Sequence, residues 1–278
     1  MSKEKFIDIK GLIASKNPKL LRWLPGFVIS YLRRILHEDE INNFLIEHEN
    51  YFDADFCEAI INYFNIELKI KGIENIPKEG PVILAMNHPL GGMDAIGLIV
   101  ALRHHRNDMK FIVNDLLMNL KNLKGLFIGV NKHGKNDVSV RQQIKNAFMS
   151  ENAICIFPAG LVSRKINGRV QDLEWKKTFV TYAREFDRVI IPIHIKGELS
   201  PFFYRIAKFR KFIGIKANIE MLWLSDELFK QRNKVIEITV GNPIRFSEID
   251  EELNDYQAAQ KVRQIVHKLT YNEYAKNH

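Results

Sequence analysis

One histidine and one aspartate, His88 and Asp94, stand at the two ends of a short loop that leaves an apolar stretch and enters another. A neutral imidazole takes up a proton near physiological pH, and a carboxylate accepting its Nδ1–H leaves Nε2 free as a general base toward a hydroxyl. The pair has the parts for proton abstraction if the chain brings them together. On one continuous helix, six residues at about 100° each would point the two side chains apart. Pro89 stops the preceding strand, and Gly91-Gly92 offers the positive-φ conformations that let the loop return Asp94 toward His88. A structural role fits the same residues: Asp94 would serve as a helix N-cap, and a lone histidine at a strand end commonly packs.

The elements on either side must do the positioning. Val82 to Met86 is an uninterrupted apolar run, the pattern of a strand covered on both faces. Ala95 to Leu102 is also apolar and ends in Arg103, His104, His105 and Arg106, which predicts a buried helix with a basic C-terminus. Ile66 to Lys71 alternates strictly, as a half-exposed strand near a sheet edge would. Further strands are expected at Lys110 to Val113, Leu126 to Val130, Ala153 to Phe157, Arg188 to Ile195 and Lys234 to Val240. Between and after them lie a helix or turn over Asn114 to Leu123 and helices over Val138 to Met149 and around Tyr256 to Leu269. Pro192 inside its strand implies an edge or a bulge. Strands alternating with helices predict an α/β domain with a mainly parallel or mixed central sheet and helices on both faces. Ahead of it, residues 1–65 read as a helical N-terminal arm, with residues 66–278 forming the α/β domain.

The string Asn87-His88-Pro89-Leu90-Gly91-Gly92-Met93-Asp94 resembles the His/Asp motif of the glycerolipid acyltransferases, the lysophosphatidic acid acyltransferase-like superfamily. Most members separate His from Asp by four residues, whereas five separate His88 from Asp94. The longer form, with Pro and Gly-Gly inside, is similar to a bacterial branch that includes O-acyltransferases of ornithine- and glycine-lipid synthesis. Later blocks follow in the family's order, so the resemblance spans roughly Ile66 to Phe246. Phe157-Pro158-Ala159-Gly160-Leu161-Val162-Ser163-Arg164 resembles the Phe-Pro-Glu-Gly-Thr-Arg-Ser block that binds a glycerol phosphate acceptor. Trp175-Lys176-Lys177 resembles an aromatic-Lys-Lys segment, and Ile191-Pro192-Ile193 the fourth block.

The resemblance implies an acyltransferase in which His88 deprotonates an acceptor hydroxyl and Asp94 orients the imidazole. The hydroxyl attacks the thioester of an acyl carrier protein or coenzyme A conjugate, with no covalent acyl-enzyme, cofactor or metal implied. Asn87, Gly91, Gly92, Lys132, Phe157, Pro158, Gly160, Ser163 and Arg164 are the implied substrate-binding positions. Lys132 stands where the family carries a basic residue for substrate phosphate, although an ordinary loop lysine fits as well. Arg164 offers bidentate donors to an anionic head group. Ala159 replaces the family's Glu, which removes the usual contact to a glycerol phosphate acceptor. That departure favours a lyso-aminolipid acceptor, with acylation of 1-acyl-glycerol-3-phosphate in phospholipid synthesis as the alternative.

Competing chemistry is present at Gly129 to Asn136, which nearly spells a nucleotide-binding loop. Asn136 replaces the Mg²⁺-binding hydroxyl, and the next strand contains no Asp to complete a metal site. The 278 residues carry a net charge of +8, which points to an anionic partner. No zinc-finger, RNP or basic-zipper pattern supports nucleic acid as that partner. Phe202 to Ile213 interleaves aromatic with basic side chains, and Phe202, Phe203, Arg205, Lys208, Arg210 and Lys211 are candidates for an anionic membrane surface. Lys19 to Phe44 mixes Trp23, Phe27 and Tyr31 with basic residues, and fits either membrane contact or packing on the main domain. The N-terminus lacks the apolar core of a signal peptide, and no run approaches the roughly 18 apolar residues of a membrane span. Peripheral attachment to the inner face of the membrane from the cytoplasm is the expectation. Cys57 and Cys155, in apolar surroundings, read as reduced core residues. A class-different reading is a lipid- or polyanion-binding protein without turnover, against which the intact His88 and Asp94 argue.

Overall fold

The computed structural model describes residues 5–130, 138–245 and 252–274. Four helices open the chain, α1 (Ile9–Lys16), α2 (Pro18–Trp23), α3 (Gly26–Ile35) and α4 (Glu38–Glu47), followed by α5 (Asp53–Tyr63). Asn17 caps α2 by accepting from Leu20 N–H, and Pro18 occupies its first turn, where no amide donor is needed. Then come β1 (Glu67–Lys71), β2 (Val82–Met86), α6 (Gly92–Leu102), β3 (Lys110–Asn114), β4 (Phe127–Val130), α7 (Val138–Met149) and β5 (Ala153–Ile156). A small hairpin, β6 (Arg164–Ile166) and β7 (Arg169–Gln171), leads to α8 (Thr178–Glu185) and β8 (Val189–Lys196). The chain closes with α9 (Pro201–Phe212), α10 (Leu224–Phe229), β9 (Val235–Val240) and α11 (Asp255–Tyr274).

Residues 52–198 and 233–278 form one compact unit. Its sheet has seven strands in the order β1-β9-β8-β2-β5-β3-β4, parallel throughout except for the antiparallel β8–β9 pair. β2 lies at its centre and is buried at all five positions, which is why its sequence shows no alternation. β1 is an edge strand and alternates exposed with half-buried, as its sequence predicts. On one face Ile83, Ala85, Ile154 and Ile190 pack with Phe148 of α7, Phe179 of α8 and Val262 of α11. On the other, Gly97 of α6 lies against Leu68 and Ile236. Pro192 sits at a bulge: between the Ile193↔Val240 and Ile190↔Ile244 pairs, three steps along β8 face four along the partner. Its ring therefore takes a place where no ladder donor is needed. Both cysteines are free and buried, and burial pushes the Cys57 thiol up to about 12.

The other compact unit joins residues 1–51 with 199–232. The sheet unit thus begins at Phe52 rather than at the Ile66 expected from the sequence. Within the smaller unit, Tyr31 Oη accepts from Trp223 Nε1 at 3.0 Å, and Phe202 meets the Trp223 ring edge-on. The His37 ring stacks on Phe229 with centroids 3.7 Å apart. α9 buries one stripe, Phe203, Ala207 and Arg210, and Arg210 pairs with the fully buried Glu220 at 2.8 Å. Phe203 and Arg210 therefore belong to the interior of this unit and not to a membrane-facing surface. A buried guanidinium stays there because a buried carboxylate, Asn218 and the Ile215 carbonyl satisfy it.

Candidate active site

The loop after β2 is held from both sides before any side chain does chemistry. The Asn87 carboxamide, buried, donates to Ile195 C=O at 2.8 Å and accepts from Ile195 N–H at 2.7 Å. It continues the β2–β8 pairing as a side-chain surrogate for one more strand residue, so Asn87 is a structural bridge and not a substrate contact. The next residue, His88, has its own backbone clamped: its N–H donates to Asp172 Oδ1 at 3.2 Å, and its carbonyl accepts from Ser163 N–H at 2.7 Å. Chain direction then changes at Gly91, whose φ of 69° lies in a region a side chain rarely adopts.

That turn delivers Asp94 to the third position of α6. Asp94 is fully buried, and its Oδ2 accepts from Leu90 N–H and from His88 Nδ1, both at 2.9 Å. Asp94 is not the N-cap expected from the sequence: Gly91 holds that position without a side-chain cap, and one Asp94 oxygen instead ties the Leu90 amide and the His88 ring together. With Nδ1–H committed to Asp94, Nε2 keeps its lone pair. The Phe157 ring stacks on the imidazole with centroids 4.1 Å apart, and Phe111 lies behind Phe157. His88 keeps partial exposure, 19% of its side chain.

Burial pushes the Asp94 carboxyl up to about 6, opposed by the hydrogen bond and charge of His88 and by the Leu90 amide, with Asp172 adding to the rise. The carboxylate form is the one that accepts Nδ1–H and stabilises an imidazolium. Activity should therefore fall as pH drops below about 6. The same shift has the opposite sign for stability. A carboxyl whose folded pKa is raised binds its proton more tightly in the native state, so this group favours folding more as pH falls from about 6 toward its ordinary value. A pH–rate profile run beside a thermal melt separates the two; a rate that stays flat down to pH near 5 (roughly tenfold more acid than that midpoint) would contradict the assignment.

Asp172, which the sequence does not single out, is the hub behind this arrangement. It is fully buried and accepts three donors: His88 N–H, Ser163 Oγ–H at 2.5 Å and Trp175 Nε1–H at 2.8 Å. α11 adds Arg263, donating to the Asp172 carbonyl, and His267, accepting from its N–H at 3.4 Å. An isolated acid in a loop carries no pattern in sequence, and its partners come from three separate segments. His194 is buried beside His267, and burial first and the neighbouring His267 second push its pKa down to about 3.

The remaining implied positions divide clearly. Ser163 is buried and braces His88 and Asp172, so it acts through them. Arg164 is buried, with Nη1 donating to the Val162 and Ser163 carbonyls, and is not presented to a head group as expected. Pro158 is buried, while Gly160 is exposed at φ 66° where the loop turns, its N–H bonded to Phe157 C=O. Gly91 and Gly92 begin α6, where backbone N–H groups lack intrahelical acceptors. Lys132, and most of the nucleotide-loop-like string around it, lies outside the described residues.

A family model described as Acyltransferase matches residues 11–277. A Lyso-glycine lipid O-acyltransferase of Bacteroides thetaiotaomicron is 43% identical over 264 residues, covering 95% of this chain and 97% of that protein. One from Phocaeicola vulgatus, of the same name, is 42% identical with 95% of each covered. Among solved structures, the 1-acyl-sn-glycerophosphate (LPA) acyltransferase PlsC of Thermotoga maritima superposes with a TM-score of 0.51 at 16% identity. That match covers 95% of this chain and 93% of that one, and shows a shared fold.

Proposed function

This chain belongs to the acyltransferase family, and we propose that it moves a fatty acyl group from a thioester to the hydroxyl of a lyso-glycine lipid. The observation that carries the reading is the His88–Asp94 pair, a buried carboxylate fixing the tautomer of a partly exposed imidazole. Similarity to two relatives named for that acceptor supports the choice of lipid. So does Ala159, 7% exposed, in place of the acid implied by the resemblance to glycerol phosphate enzymes.

In this mechanism His88 Nε2 takes the acceptor's hydroxyl proton as the oxygen attacks the thioester carbonyl. Asp94 balances the imidazolium. The N–H groups of Gly91 and Gly92, at the start of α6, would receive the oxyanion, where the helix dipole favours negative charge. Collapse of the tetrahedral intermediate breaks the C–S bond, and the departing thiolate of acyl carrier protein or coenzyme A takes the proton back from His88. The products are an O-acyl ester and a free thiol, with no acyl-enzyme. Comparison of lipid extracts from cells with and without the protein tests the reading: glycine lipid should be lost and its lyso form should accumulate. Unchanged glycine lipid would overturn it.

The acceptor resides in a bilayer, and we assign membrane contact to the smaller unit. No described helix is long and apolar enough to cross a membrane. The unit nevertheless exposes Trp23 at 86%, Phe27 at 74%, Phe209 at 61% and Phe212 at 87%. Arg205, Lys208 and Lys211 are exposed on α9 beside the last two, the mixture that suits an anionic interface. Changing those three to Gln should weaken binding to anionic vesicles on the order of 100-fold, at about 1 kcal/mol for each basic residue near such a surface. Changing Phe209 and Phe212 to Ser should also release the protein, with little salt dependence, because that contribution is apolar burial. Vesicle sedimentation across a salt series reads both. Wild-type binding by the triple Gln protein would remove α9 from the interface.

A further inference from the structure

Glycine joined to a fatty chain through its nitrogen presents a carboxylate, and an enzyme selecting that head group needs a cation beside the loop that holds the base. Arg164 is turned to backbone carbonyls and buried. Lys176 is placed differently. Its N–H donates to Pro158 C=O at 3.1 Å, in the turn that begins at Phe157, the ring stacked on His88. The preceding Trp175 is 1% exposed and fixed at three points. Gln260 donates to its carbonyl and accepts from its N–H, at 2.7 and 3.2 Å, and its indole donates to Asp172. The backbone entering Lys176 is therefore rigid, braced by the same carboxylate that holds His88.

The Lys176 side chain folds over Gly160, its Nζ 3.4 Å and its Cε 3.8 Å from the point where a β-carbon on residue 160 would lie. The ammonium thus sits at the exposed lip of the Phe157–Gly160 turn. Some exposed lysines find carboxylates, as Lys145 does with Glu185 and Lys196 with Glu237. Among the described residues no carboxylate pairs with Lys176. A cation held over the acceptor loop with no carboxylate partner among the described residues is available to pair with an external one through charge-assisted hydrogen bonds.

We propose that Lys176 receives the acceptor's carboxylate and determines head-group specificity. This inference rests on the aminolipid reading above. The test is steady-state kinetics of the full chain with two acceptors, lyso-glycine lipid and the same lipid with its carboxylate converted to a carboxamide. Wild type should favour the carboxylate. K176A and K176Q should raise KM for it by about 10–100-fold, the usual worth of a charge-assisted hydrogen bond, with kcat little changed. Turnover of the carboxamide should be unaffected in both variants, which also shows that they fold, and K176R should retain most of the preference. K177A, the adjacent exposed lysine, should match wild type. A carboxylate preference unchanged in K176A and K176Q, or no preference in wild type, would overturn the assignment while leaving the function standing. Failure of wild type to acylate either acceptor would sink both.

Discussion

Replacing His88 with Ala should lower acyl transfer by about 10²–10⁴-fold, the range lost when a positioned general base is removed. The fold should survive the change. The backbone of residue 88 is held by Asp172 at its N–H and by Ser163 at its carbonyl, bonds that do not involve the imidazole. Asp94 would lose one donor but keep Leu90 N–H, and burial already raises its pKa to about 6, so the carboxyl can become neutral instead of leaving a stranded charge. Turnover measured beside a circular dichroism melt checks the prediction. A folded H88A protein with near-normal turnover would remove the base from the mechanism.

Asp94→Asn should be nearly as damaging, about 10²–10⁴-fold, and for a separable reason. Asp94 Oδ2 serves both His88 and Leu90, while Oδ1 has no partner among the described residues. An amide can therefore place its oxygen at the Oδ2 position and its NH₂ at the unused one, keeping the turn intact. What it cannot supply is negative charge to balance the imidazolium formed when His88 takes the hydroxyl proton. If the amide flips, its NH₂ faces Nδ1 and drives the ring proton to Nε2, the wrong tautomer for a base. The variant should melt close to wild type and lack the loss of rate that Asp94 causes on the acid side. Wild-type turnover in D94N would reduce Asp94 to a tie for the Leu90 amide.

How much of this is legible in the chain depends on how local each cause is. β2 and the turn after it follow from an apolar run and from Pro89 and Gly91, and the bounds read from the sequence for β2 and α7 match those observed. α6, in contrast, begins at Gly92, three residues before the Ala95 read from its apolar run. The hairpin of β6 and β7 turns on Asn167-Gly168, both at positive φ, a signal present in the sequence but missed beside the family motif it follows. Polar residues are where local reading fails. Asn87, Arg164 and Arg210 look like ligand contacts because their chemistry suits ligands, yet their partners are Ile195, nearby carbonyls and Glu220. α9 shows why: its stripe of Phe203, Ala207 and Arg210 is apolar except for one residue, and only Glu220 reveals that this residue faces inward. Asp172 is the converse, unremarkable in sequence and indispensable in space.

The central claim, direct acyl transfer to an aminolipid hydroxyl, is tested most directly by competition. Purified protein is given one labelled acyl thioester with equimolar lyso-glycine lipid and lysophosphatidic acid, and the labelled products are separated. The account predicts that the label enters the glycine lipid, that little reaches phosphatidic acid, and that none remains on the protein when both acceptors are withheld. Label entering phosphatidic acid in preference to glycine lipid would contradict it.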